Sequence, residues 1–283
     1  MSVFENTRTE PPADRVAVKL FDAHNHLQDV AFHGRLDIVL AEARREGVAR
    51  MVVNGSSEED WWEVLKLARD IPEVVPSFGY HPWYVKQRSP AWQSELVRML
   101  DAVPSGMGEI GLDRWIKDFD FEQQLEVFRW QLKLAAERNL PVSIHCLQAW
   151  GKMLEVLQSE PLPRCGFVLH SYGGPVEMID SFTGLGAYFS LPGYFAHERK
   201  TKQRDGFKRV PRERLLIETD APDQLLPPER VRYPMCNADG KQVNHPGNLR
   251  SVYEFAAELL QEPVEKVATQ VEENFTRLFG RLA

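Results

Sequence analysis

The sequence predicts one α/β domain closed as an eight-stranded parallel barrel of the TIM, (β/α)8, type. Three observations predict it. Strand-like apolar runs alternate with helix-like segments along the whole chain, the mark of repeated βα units and a parallel sheet. Eight such runs occur, near residues 17–23, 50–54, 74–79, 105–109, 142–145, 166–170, 186–190 and 214–219. Five of them end on or beside metal-ligating residue types, and a parallel barrel is the common architecture that brings many strand ends to one face. The length of 283 residues suits this reading, since such barrels commonly fill about 250 residues as a single domain.

In chain order, residues 1–16 read as a loose polar extension and 17–283 as the barrel. The first apolar run, Val16-Ala17-Val18-Lys19-Leu20-Phe21, closes on Asp22-Ala23-His24-Asn25-His26. In extended backbone His24 and His26 share a face with Cα atoms roughly 7 Å apart, so both rings can lean onto one ion at about 2.1 Å. After the second strand, Ser56-Ser57-Glu58-Glu59 offers a capping box for a helix carrying Trp61, Val64, Leu65 and Ala68. His81 follows the third strand in Gly79-Tyr80-His81-Pro82, and Glu109 ends the fourth. A helix then opens at Asp120 and places Phe121, Leu125, Phe128, Leu132 and Ala135 on one stripe. His145 ends the fifth strand and His170 the sixth, and a basic run from His197 to Arg209 follows the seventh. Asp220 comes after the eighth. The connection Ala221 to His245 has four prolines and no period, and a loop of that length is more often functional than idle. A helix starting near Pro246 and carrying Leu249, Val252, Tyr253, Ala256, Leu259 and Leu260, and a last one through Val264, Val267, Val271, Phe275 and Leu278, finish the chain.

Composition excludes several classes. Hydrophobic residues at 43% and charged residues at 27% are ordinary globular usage, no apolar stretch approaches the roughly 18 residues of a membrane span, and the start lacks a signal core. Three scattered cysteines make no disulfide framework, so a reducing cytoplasm is the expected setting. Cys146, beside His145, reads as a buried small hydrophobe.

If the barrel closes, His24, His26, Glu109, His145, His170 and Asp220 all reach its C-terminal face, where sites of this fold lie. Four imidazoles and two carboxylates are enough for two divalent ions sharing a bridging carboxylate. The ordered set Asp22-Ala23-His24-Asn25-His26-Leu27, Gly108-Glu109-Ile110-Gly111-Leu112-Asp113, Pro141-Val142-Ser143-Ile144-His145, His170-Ser171-Tyr172-Gly173-Gly174 and Glu218-Thr219-Asp220-Ala221-Pro222 resembles the signature of TatD-related hydrolases from about residue 18 to Gly280. Asn244-His245-Pro246 and Glu273-Asn274-Phe275 are similar to that family's C-terminal pattern. The resemblance implies a metal-dependent hydrolase, and for characterised relatives a nuclease acting on DNA. It implies that His24, His26, Glu109 and Asp220 hold one metal and Glu109, His145 and His170 the second, with Glu109 as bridge. Asp220 is the expected orienter or general base, or else a plain ligand with no proton role; His81 resembles a family position near the substrate phosphate, against the plainer reading of a loop histidine before proline bonded to its own backbone. Asp113 is expected either to orient a ligand or to serve as an ordinary turn residue. The metals expected are Mg2+, Mn2+ or Zn2+.

Two departures bear on substrate. Leu147 stands where the family usually has arginine, which removes a phosphate-contacting cation, and Asp223 adds negative charge just after the Asp220 motif. A net charge of −7 also lacks the footprint of a tight duplex binder. Arg199, Lys200, Lys202 and Arg204 in the basic run are the candidate substrate contacts, against the plainer reading of a solvated helix face. A divalent-metal phosphodiesterase acting on DNA therefore ranks first. A metallohydrolase of small esters, lactones or amides ranks second, and an inactive barrel serving as a scaffold third, because no ligand position is lost.

Overall fold

The computed structural model describes residues 18–282; the extension expected over 1–16 lies outside them. Eight parallel strands pair in sequence order: β1 (Leu20–Asn25), β2 (Val48–Asn54), β3 (Val74–Phe78), β4 (Gly106–Asp113), β5 (Val142–Leu147), β6 (Phe167–Leu169), β7 (Ala187–Pro192) and β8 (Leu215–Glu218). Strands in such a sheet are covered on both faces, which is why β1, β3, β4, β6, β7 and β8 are buried at every position, including at polar residues such as Ser77, Glu109, Asp113, Ser190 and Glu218.

The ring closes between β8 and β1 at their C-terminal ends. Asp220 N–H donates to the His24 carbonyl at 2.9 Å and His26 N–H to the Ala221 carbonyl at 2.8 Å. Asp22, fully buried, accepts from Thr219 N–H at 2.9 Å and from the Thr219 hydroxyl at 2.6 Å. A buried carboxylate must be bonded to be tolerated, and these bonds bring the His24 and Asp220 segments together.

The helices follow their sequence signals with small adjustments. Helix α1 (Leu36–Arg45) follows β1, and α2 (Trp61–Asp70) follows β2. The expected capping box is replaced at α2: Asp60, not Glu59, takes the backbone N–H groups of Ser56 and Ser57 at 2.9–3.1 Å. After α3 (Trp92–Ala102) and β4, α4 (Phe121–Arg138) opens where expected, with Asp120 accepting from Gln123 N–H. Helices α5 (Trp150–Ser159), α6 (Ile179–Gly184) and α7 (Thr201–Phe207) complete the alternation. Helix α8 (Leu249–Leu260) then precedes α9 (Val264–Phe279), which sets Phe275 against Phe21 with ring centroids 5.0 Å apart and planes tilted by 48°. Asn274, from the C-terminal motif, donates to the Arg212 and Leu215 carbonyls at 2.7 and 2.8 Å and ties α9 to the start of β8.

The long connection is more ordered than its composition implies. It carries a hairpin, Met235–Cys236 with Gln242–Val243, and is tied down through Arg232–Glu254, Arg230–Glu258 and the Tyr233 hydroxyl on Glu46. Among the described residues no helix is long and apolar enough to cross a membrane.

Candidate active site

All six residues expected to hold metal meet at the C-terminal mouth of the barrel. One expectation needs correcting: Glu109 does not end its strand. Strand β4 runs four residues further, to Asp113. Glu109 is nevertheless level with the ends of its neighbours on one side, because β3 stops at Phe78, opposite Met107. Beyond that point β4 continues along β5, pairing Gly111 with His145 and Asp113 with Leu147. Gly108 permits the close approach, since a Cβ there would lie 2.8 Å from Ser143 Cβ and 2.8 Å from Ser77 Oγ.

The two oxygens of Glu109 face different partners. Oε2 lies 3.1 Å from His24 Nε2 and 3.3 Å from His26 Nε2, while those two nitrogens are 3.3 Å apart. Asp220 Oδ1 sits 3.7 Å from each of the same nitrogens. Oε1 lies 3.0 Å from His145 Nδ1 and 2.9 Å from His170 Nε2, which are 3.2 Å from one another. For ligands about 2.1 Å from a tetrahedral ion the ligand–ligand edge is about 3.4 Å. Both groups match it.

The far nitrogens of the rings decide which atoms are free to ligate. His26 Nδ1 is 2.9 Å from the Asn54 carbonyl, which only accepts, so Nδ1 carries a hydrogen and Nε2 is the nitrogen left to ligate once the ring is neutral. His145 Nε2 donates to Asp113 Oδ2 at 2.8 Å, which leaves Nδ1 as the nitrogen facing Glu109 and available to ligate. His24 Nδ1 is backed by Ser143 Oγ at 2.8 Å. Behind His170 stands Glu218, 3.7 Å from Nδ1 and itself held by Ser171 and Ser190. Ligating histidines are usually fixed in this manner from behind. Lone pairs crowded together in a buried space need a cation or protons between them, so the donor set fits divalent ions.

His81 differs. Its Nδ1 accepts from Trp83 N–H at 3.2 Å, so the neutral ring carries its hydrogen on Nε2, 3.3 Å from Glu109 Oε1. It presents a donor to this space rather than a ligand lone pair.

Charges follow from burial and proximity. Burial opposes the Glu109 charge, but the imidazoles of His170, His81 and His24 outweigh it and hold the carboxyl well below its ordinary range. Burial pushes Asp220 up to about 8 and lowers His24 and His81 to about 4. At His26 burial is overcome by Glu109 and Asp220, which lift it to about 9.

The site opens into a cavity of about 910 Å³. Of the four basic residues expected at the substrate, Lys200 lines it. Arg204 is turned inward, donating to the Phe195 and Glu198 carbonyls, and holds the loop together. Arg199 binds the Tyr194 hydroxyl, and Lys202 is exposed outside the cavity.

The TatD related DNase family model matches residues 21–280. The chain belongs to this family. It is similar to the metal-dependent hydrolase YjjV of Escherichia coli K12, 31% identical over 93% of this chain and 98% of that one. Similarity to the 3′-5′ ssDNA/RNA exonuclease TatD of Erwinia tasmaniensis is 31% over 92% and 100%. The crystal structure of E. coli YjjV superposes with a TM-score of 0.84 at 30% identity, covering 93% of this chain and 99% of that one. A TatD-family protein of Entamoeba histolytica shares the fold at a TM-score of 0.81 and 20% identity.

Residues that sequence reasoning missed stand behind the ligands. Glu218 lay inside a quoted motif without a role, and Ser143 sat two positions before His145. The Asn54 carbonyl that fixes His26 is backbone, and no side-chain signal marks it.

Proposed function

We propose that this TatD-family metal-dependent hydrolase cleaves phosphodiester bonds in nucleic acid, DNA foremost, with two divalent ions held by His24, His26, Glu109 and Asp220 on one side and Glu109, His145 and His170 on the other. One observation carries the reading: each oxygen of Glu109 faces its own pair of imidazole nitrogens, and in His26 and His145 the opposite nitrogen is committed as a donor. Bound there, divalent ions supply acidification of water and neutralisation of phosphoryl charge.

The chain's own groups do the rest. Asp220 is the proton acceptor for the attacking water, since its Oδ1 borders the cavity beside His24 and His26 and a base elevated toward neutrality is matched to that task. His81 Nε2–H donates to a non-bridging phosphoryl oxygen, and Lys200 pairs with a neighbouring phosphate at the mouth. Asp113, by accepting from His145, keeps that ring in the tautomer the site requires. The three free cysteines agree with a cytoplasmic location.

A panel of single strands, duplexes, small phosphodiesters, lactones and amides, each with Mg2+, Mn2+ or Zn2+ and with chelator, tests the proposal. Metal-dependent strand cleavage is expected. Turnover of lactones or amides with no strand cut under any metal would replace this reading by the small-molecule one, which the acidic lining from Asp29, Glu59, Asp60 and Asp223 favours.

A further inference from the structure

Among the described residues, nine large apolar side chains are exposed, and Val30, Trp83, Tyr84, Trp115 and Leu147 of these line the one cavity that holds the site. Such concentration at a mouth marks a binding surface rather than scatter. Two of them are tethered to the metal cluster by one carboxylate. Asp113 Oδ2, which takes the His145 hydrogen, also accepts from the Trp83 indole N–H at 2.7 Å, and its Oδ1 accepts from Trp115 N–H at 2.6 Å. The Trp83 ring stands edge-on to His81 and His145, with centroids 5.0 and 6.1 Å apart. Trp115 leaves 63% of its surface exposed. Leu147 completes this wall, its carbonyl accepting from Arg114 N–H at 3.0 Å.

We infer that Trp83 and Trp115 form a stacking subsite for the nucleobase attached to the nucleotide whose phosphate sits at the metals. The inference rests on the nuclease reading and names what that site recognises: an unpaired base at a strand end. A base lies one sugar away from its phosphate, and Trp83 lies one ring away from His81 and His145. Stacking is sequence-tolerant because every base has a π-face, and it needs no cation. That suits a wall that presents Leu147 and a lining with four outer carboxylates against one lysine. In a duplex the base faces are already covered, so the subsite selects single strands and frayed ends.

The test crosses protein and substrate. Wild type and Trp115→Ala are assayed under Mn2+ on two oligonucleotides that differ only in whether the terminal nucleotide carries its base or is abasic. Trp115 is the variant of choice because its indole makes no hydrogen bond that the fold needs, whereas Trp83 supports Asp113. Loss of either the base or the indole is expected to lower kcat/KM about 5- to 100-fold, and the combination to lose no more than either alone. Trp115→Phe restores most of the activity, and Trp62→Ala, an exposed tryptophan on the outer face of α2, changes nothing. A second readout needs no turnover: with chelator present, a short single strand should quench wild-type tryptophan fluorescence more strongly than the same strand bearing abasic sites, and Trp115→Ala should remove that difference. Strand cleavage with additive losses and no base-dependent quenching overturns the stacking subsite while leaving the nuclease reading intact. Failure of wild type to cut any strand removes both.

Discussion

At the scale of single residues, protons and divalent ions compete for one set of donors. Glu109 is ionised, while His26 is raised to about 9 and Asp220 to about 8, so at pH 7.5 both of the latter are largely protonated. Ligation requires the deprotonated forms. Metal uptake at pH 7.5 must therefore expel protons, and affinity should rise with pH and level off above about 9, where His26 has already lost its hydrogen. Calorimetry in two buffers of different ionisation enthalpy measures this directly, and identical heats would contradict it. Asp220→Asn keeps the side-chain volume but removes the proton acceptor. It should lower kcat by roughly 10²- to 10⁴-fold, in the range of general-base contributions, with circular dichroism unchanged. Residue types and spacing made the six ligand candidates legible in sequence. Arg204 was not, because whether a guanidinium faces solvent or its own loop carbonyls is set by the turn between β7 and α7.

At the scale of elements, β4 shows where sequence reasoning stopped short. Gly106, Gly108 and Gly111 resemble the end of a strand, since glycine ordinarily weakens one. In the structure they keep the strand going. A Cβ at Gly111, where φ is +155°, would lie 1.9 Å from the His145 carbonyl, so the two backbones could not approach as they do. Gly111→Ala should consequently cost well above the roughly 1 kcal/mol typical of point substitutions, because the chain must move at His145 itself. A lowered thermal midpoint together with weaker metal binding is expected; an unchanged midpoint would show that the β4–β5 pairing tolerates the side chain. The barrel strands, α4, α8 and α9 were legible because burial writes long apolar patterns. The hairpin in the Ala221–His245 connection was not, since two-residue strands carry no period.

At the scale of the whole molecule, a net charge of −7 meets a site that requires divalent cations and, on the proposed reading, an anionic substrate. Lys200 is the single lysine or arginine that lines the cavity among the described residues. Binding should thus depend on salt only weakly. For single strands the slope of log K against log salt is about −0.7 per neutralised phosphate, and a value no steeper than about −2 is expected here. A slope near −6 would mean that an extended basic surface engages the strand.

On the proposed reading, Glu109 joins two ions. Metal content after saturation and equilibrium dialysis tests it most directly, in wild type and in Glu109→Gln, whose amide keeps the shape but removes the shared negative charge. Wild type should hold two ions per chain and the variant at most one, with hydrolysis in the variant lowered by several orders of magnitude and the fold retained. Two tightly held ions and normal hydrolysis in Glu109→Gln, or one ion in wild type at saturation, would contradict it.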